Sequence, residues 1–212
     1  MQGWRRRIGM DDMLIHSSRH IDGAVAAEFN RYSPGDERDG KWTQAKEIRR
    51  AGVGVGPHTG AWDEYATDGM LRVIREYFTD PYYDKTLSHF PHLLYLGFNN
   101  PHYPYLADEE LFEYYLNRVD PLVDEVPFDH PVLGVCPDLR EGPIRIGPDG
   151  DVTVTEARRA MAAYYANIEA SDRRFGQVLS RLEQVGQDLD DWIIVFTADH
   201  GEMLGEHCLW EK

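Results

Sequence analysis

Cysteine is scarce in this chain: Cys136 and Cys208 are the only two in 212 residues. Two thiols do not make a disulfide framework, so the fold must rest on a hydrophobic core. The scarcity points to a reducing compartment, the cytoplasm. Nor is there an apolar run near the ~20 residues needed to cross a bilayer. The stretch Trp192-Ile193-Ile194-Val195-Phe196 has only the length of a strand. The basic start, Trp4-Arg5-Arg6-Arg7, is not followed by an apolar segment and does not read as an export signal. Positive charge is short as well, with 22 Lys and Arg against 37 Asp and Glu, a net −15. Such a field repels a polyphosphate backbone and excludes sequence-independent nucleic-acid binding. No membrane and no nucleic acid are expected as partners.

Hydrophobic residues make up 42 % of the chain, enough for one domain with a true core. Residues 1–66 have poor periodicity and scattered Gly, Asp, Arg and Pro, and read as irregular. Within them, Gly52-x-Gly54-x-Gly56 resembles a phosphate cradle only superficially. It lacks a preceding buried strand and runs into Pro57-His58, so it reads as a loop. From Thr67 onward Met70, Leu71, Ile74, Tyr77 and Phe78 recur at helical spacing, and Asp80-Pro81 ends the run.

Next, His92-Leu93-Leu94-Tyr95-Leu96-Gly97-Phe98 reads as a buried strand, ended by Asn99-Asn100-Pro101. A short helix is expected from Asp108 to about Asn117, with Leu111, Phe112, Tyr115 and Leu116 inward. Residues 118–152, with six prolines, read as an irregular surface excursion. Thr153 and Glu156 then form a capping box. Met161, Tyr164, Ile168, Phe175, Val178, Leu182 and Val185 continue as one stripe of a long amphipathic helix that Gly186 caps. After a polar turn, Trp192 to Thr197 is apolar on both faces, as in a central parallel strand covered by helices. Strand, helix, strand implies an α/β crossover.

Chemistry gathers at the ends of those two expected strands. In open α/β sheets ligands bind beyond the carboxyl ends of strands, where Asp199 and His200 stand. A carboxylate beside an imidazole, followed by the flexible Gly201, suits a divalent metal of intermediate hardness. The same residues would also serve as a plain helix start with Asp199 as its cap. His102, held between Pro101 and Pro104, suits a proton donor or an anion contact, or a purely structural loop residue. Trp62, Tyr103 and Tyr105 are candidates to stack on a substrate, although core positions suit them better. No His-Glu-x-x-His pattern of a zinc protease occurs.

The run Thr197-Ala198-Asp199-His200-Gly201-Glu202-Met203-Leu204-Gly205-Glu206-His207, closed by Trp210-Glu211-Lys212, resembles the metal-and-sulfate motif of sulfatases. These belong to the alkaline phosphatase superfamily. Pro101-His102-x-Pro104 is similar to the family's second histidine motif, and the tyrosine-rich helix from Ala163 to Ser180 to the helix before its metal strand. The histidine beside Asp199 and the step to Lys212 look like choline sulfatases and phosphonate monoester hydrolases.

The resemblance implies part of an alkaline-phosphatase-like α/β sandwich, with a mostly parallel central sheet flanked by helices, truncated. Residues 1–212 would then be a partial catalytic domain, with substrate loops in 1–66 and the α/β core in 67–212. It makes Asp199 and His200 metal ligands, with calcium the implied ion and manganese or zinc the alternatives. It makes Lys212 a contact to a sulfate oxygen, and His102 a group that binds the sulfate or protonates the leaving alcohol. The implied substrate is a small-molecule or sugar sulfate ester; the alternatives are phosphonate or phosphate esters, or a noncatalytic anion- or partner-binding remnant. Glu206 and His207 read as supporting residues.

The family's nucleophile is a formylglycine made from the cysteine of Cys-x-Pro-Ser-Arg. Cys136-Pro137-Asp138-Leu139-Arg140 places its proline one position early and has no serine, and Cys208 is followed by Leu209-Trp210. Asp11-Asp12 does not follow an apolar strand, so the acidic pair of the family's metal shell is not recognisable. The expectation is a fragment, inactive by itself and marginally stable, with bare apolar edges.

Overall fold

A computed structural model describes residues 44–54, 60–80, 91–123 and 143–210. Helix α1 is Gln44–Arg49 and strand β1 is Gly52–Val53. Helix α2 spans Gly60–Thr79, strand β2 Leu106–Ala107, helix α3 Glu109–Leu116 and helix α4 Val154–Gln184. The expectation of irregular chain up to residue 66 is corrected here. Helix α1, strand β1 and the first two turns of α2 all lie within it. Each is too short, or too rich in Gly and charge, to show a hydrophobic period.

Strands β1 and β2 pair in parallel, with Gly52 opposite Leu106 and Val53 opposite Ala107. Gly52, expected in a loop, is thus a strand residue. Its N–H donates to the Tyr105 carbonyl at 3.0 Å, and that of Gly54 to Ala107 at 2.9 Å.

Helix α4 is the spine. Its start is the capping box expected: the Glu156 N–H donates to Thr153 Oγ1 at 3.2 Å, and the Thr153 N–H donates to Glu156 Oε2 at 2.7 Å. Its end is a Schellman motif. The Gly186 N–H bonds the Glu183 carbonyl at 2.9 Å and the Gln187 N–H bonds that of Leu182 at 3.0 Å, with Gly186 left-handed at φ 84°. The buried seam, however, is alanine: Ala157, Ala160, Ala162, Ala163 and Ala166 are all within 1 % exposure. Ile168, expected inward, is 42 % exposed. Small side chains bring the helix axis close to β1, β2 and α3, so the main contact face carries less hydrophobic signal than the flank. Tyr105 and Trp210 fill this core with ring centroids 6.2 Å apart. Gly205 sits left-handed beside Trp210, where a Cβ would meet Ile146 Cδ1 at 3.2 Å.

A second cluster holds α2 on α4 through Ile74, Val178 and Leu182. Two extended segments, the strands expected at 92–98 and 192–197, reach it through Leu94, Leu96 and Trp192. Among the described residues neither has a ladder partner, which corrects that expectation. In the first segment the parity is nevertheless that of a strand. Leu94 and Leu96 pack inward with Trp192, while Leu93 and Tyr95 are 75 % and 74 % exposed. The second segment does not alternate: Phe196 is 77 % exposed although its ring lies 5.9 Å from that of Phe175 of α4, and Ile193 and Val195 are 93 % and 75 % exposed. Each segment has helices behind one face and nothing among the described residues on the other.

Candidate metal and anion site

Asp199 and His200 follow the second extended segment directly. The His200 N–H donates to Asp199 Oδ1 at 3.0 Å, which curls the carboxylate back over the turn. Imidazole Nδ1 donates its proton to the Gly201 carbonyl at 2.8 Å. That bond selects the tautomer with a lone pair on Nε2, the arrangement found in metal-ligating histidines. Nε2 then stands 3.5 Å from Asp199 Oδ2. Two donors on a metal with bonds of about 2.0–2.3 Å sit roughly 3–3.5 Å apart, so this pair matches one edge of a coordination shell.

The donor set fits a dication at two positions. Among the described residues no group of three His, Cys, Asp or Glu side chains comes together. Both side chains are accessible, Asp199 at 88 % and His200 at 40 %. The helix start offered as the alternative reading does not form, because residues 199–203 are irregular.

His102 stands at the end of the other extended segment. Its backbone N–H donates to the Asn99 carbonyl at 2.9 Å, closing a tight turn, and both flanking prolines follow cis peptide bonds. Its Nδ1 donates to the Tyr103 carbonyl at 2.6 Å, again leaving Nε2 with its lone pair. No described hydrogen bond or ion pair joins His102 to Asp199 or His200. Lys212, Cys136 to Arg140 and Asp11-Asp12 lie outside the described residues.

Sequence reading missed Asp63. This residue of α2 is 1 % exposed, and its carboxylate accepts the backbone N–H groups of Asn99 at 2.7 Å and Asn100 at 3.0 Å. Burial raises its pKa above the ordinary carboxylate value, against the pull of the two N–H donors and of Arg174. The only available signal was a carboxylate placed among the inward positions of an early, weakly periodic helix. Tyr105, offered as a stacking group, is core at 1 % exposure. Trp62 and Tyr103 are half-buried, while Glu206 and His207 are exposed.

A family model described as Sulfatase matches residues 11–212. The chain belongs to the sulfatase family. The sulfatase chain is 35 % identical over 225 residues to the choline-sulfatase of Rhizobium meliloti (strain 1021), covering all of this chain and 41 % of that protein. It is 30 % identical over 164 residues to the multifunctional alkaline phosphatase superfamily protein PehA of Trinickia caryophylli, covering 69 % and 32 %. Human iduronate 2-sulfatase is 33 % identical over 131 residues, or 58 % and 24 %. The chain therefore spans less than half the length of these relatives. Its fold is the α/β fold of the alkaline phosphatase superfamily, represented among the described residues by one short parallel pair rather than a closed sheet.

Proposed function

We propose that this chain supplies the metal-binding and leaving-group side of a sulfate-ester hydrolase. The observation that carries the reading is the convergence of Asp199 Oδ2 and His200 Nε2 at 3.5 Å in a chain of the sulfatase family. Asp199 and His200 hold a dication, calcium by family likeness, with manganese or zinc suited to the imidazole. Bound there, the ion supplies positive charge against the ester oxygens, where charge builds as the bond breaks. Protonated to the imidazolium, His102 gives the proton on Nε2 to the departing alcohol, and its Nδ1 bond to Tyr103 keeps that nitrogen available. Lys212 pairs with a sulfate oxygen.

The similarity to choline-sulfatase over the full chain favours a small sulfate ester as substrate. A phosphate or phosphonate ester is the second reading, supported by the similarity to PehA. These 212 residues contain no Cys-x-Pro-Ser-Arg, so by themselves they bind rather than turn over.

The test is calorimetric binding of choline sulfate and an aryl sulfate to the expressed protein with Ca2+, Mn2+ or Zn2+, beside an aryl phosphate and a phosphonate monoester. Metal-dependent binding of a sulfate ester that is lost in Asp199→Ala supports the reading. Preference for a phosphorus ester favours the second. Binding of neither ester in the presence of metal overturns both.

A further inference from the structure

We propose that Asp63 is a positioning residue for His102; the proposal rests on the reading of His102 as the leaving-group acid. Four hydrogen bonds lead from the core to the imidazole. The buried carboxylate takes the N–H groups of Asn99 and Asn100, one on each oxygen, at 2.7 and 3.0 Å. The Asn99 carbonyl takes the His102 N–H at 2.9 Å, and Tyr103 then takes Nδ1–H at 2.6 Å. Two adjacent donors on one side of a turn require two acceptors. A carboxylate offers both, whereas an amide would turn one NH2 group towards an N–H.

Burying a carboxylate is costly unless its partners are held in place. Here they are. Thr67 Oγ1 donates to the Asp63 carbonyl at 2.6 Å and fixes that turn of α2. Arg174 of α4 offsets the charge while pairing with the adjacent Glu64 at 3.5 Å. Apolar packing would join α2 to the loop at lower cost, and does so a few residues away through Leu94 and Leu96. What the carboxylate adds is a fixed direction for the turn that presents His102.

The experiment compares Asp63→Asn and Asp63→Ala with the unchanged chain by NMR. Three things are read: amide exchange at Asn99 and Asn100, the nitrogen-15 shifts of the His102 ring, and exchange at Ala162 and Ala163 as a control on the fold. The alanine variant should exchange about tenfold faster or more at Asn99 and Asn100. Its His102 ring nitrogens should move towards the averaged values of a free histidine, with Ala162 and Ala163 unchanged. The asparagine variant should loosen one of the two amides more than the other. His102 ring shifts that stay in place while Asn99 and Asn100 loosen would overturn the proposal. So would a loss of protection at Ala162 and Ala163 in both variants, which makes Asp63 a general support of the core. The ring readout needs neither metal nor ester, so absence of metal-dependent ester binding by the unchanged protein defeats the proposed function and leaves this proposal to its own result.

Discussion

Asn167, buried on α4, donates its side-chain amide to the Leu106 carbonyl at 3.1 Å. Strand β2 is only two residues long, and this bond ties it to the helix behind it. Asn167→Leu keeps the branched side-chain skeleton and removes the donor, which leaves a buried carbonyl unpaired. The expected loss is about 1–3 kcal/mol, read from the midpoint of urea unfolding. A change within about 0.5 kcal/mol would show that the bond ties nothing.

The two ends of α4 should respond separately. Thr153→Ala removes the acceptor for the Glu156 N–H and should cost about 1 kcal/mol. Gly186→Ala forces a Cβ into φ 84° and should cost about 1 kcal/mol as well. Thermal unfolding followed at 222 nm measures both. Because the ends are far apart, the double variant should lose close to the sum.

Ile193 and Val195 face away from α4, almost fully and largely exposed. Threonine at both positions should leave stability within about 0.5 kcal/mol, since no packed contact is lost. It should also lower light scattering from concentrated solutions, because an uncovered apolar strand pairs readily with another chain. Stability falling by several kcal/mol would mean that these side chains are covered.

Tyr164 carries a pH dependence whose sign is fixed. Burial first, then the nearby Glu202 and Tyr165, push its hydroxyl up from 10.0 to about 12. The folded chain keeps this proton at a pH where the unfolded chain has released it. Stability from this group is full below pH 10 and is lost as pH rises through about 12. The drop in the urea midpoint between pH 9 and pH 11 should therefore be smaller in Tyr164→Phe. Equal drops would remove Tyr164 as the cause.

Legibility followed the strength of local signals. The caps of α4 read correctly because Thr153, Glu156 and Gly186 act within a turn of themselves. Asp108 likewise caps α3, taking the Glu110 N–H at 3.0 Å. The two apolar segments read as strands, and the first keeps the alternation of one, but a ladder depends on neighbours that hydropathy does not name. The alanine seam of α4 stayed hidden because close approach needs small residues, which carry little hydropathy. Asp63 stayed hidden because its role lies in its distance from Asn99 and Asn100, 36 and 37 positions along the chain. Asp199 and His200 stand out in the sequence because they are contiguous, and His200 Nε2 lies 3.5 Å from Asp199 Oδ2.

The most direct measurement is a titration of the chain with Mn2+, followed by paramagnetic broadening of assigned NMR signals. Broadening should begin at Asp199, His200 and Gly201, reverse with excess Ca2+, and disappear from these residues in Asp199→Ala and His200→Ala. Broadening spread evenly over the acidic surface, with His200 no more affected than His207, would contradict the assignment of this pair as metal ligands.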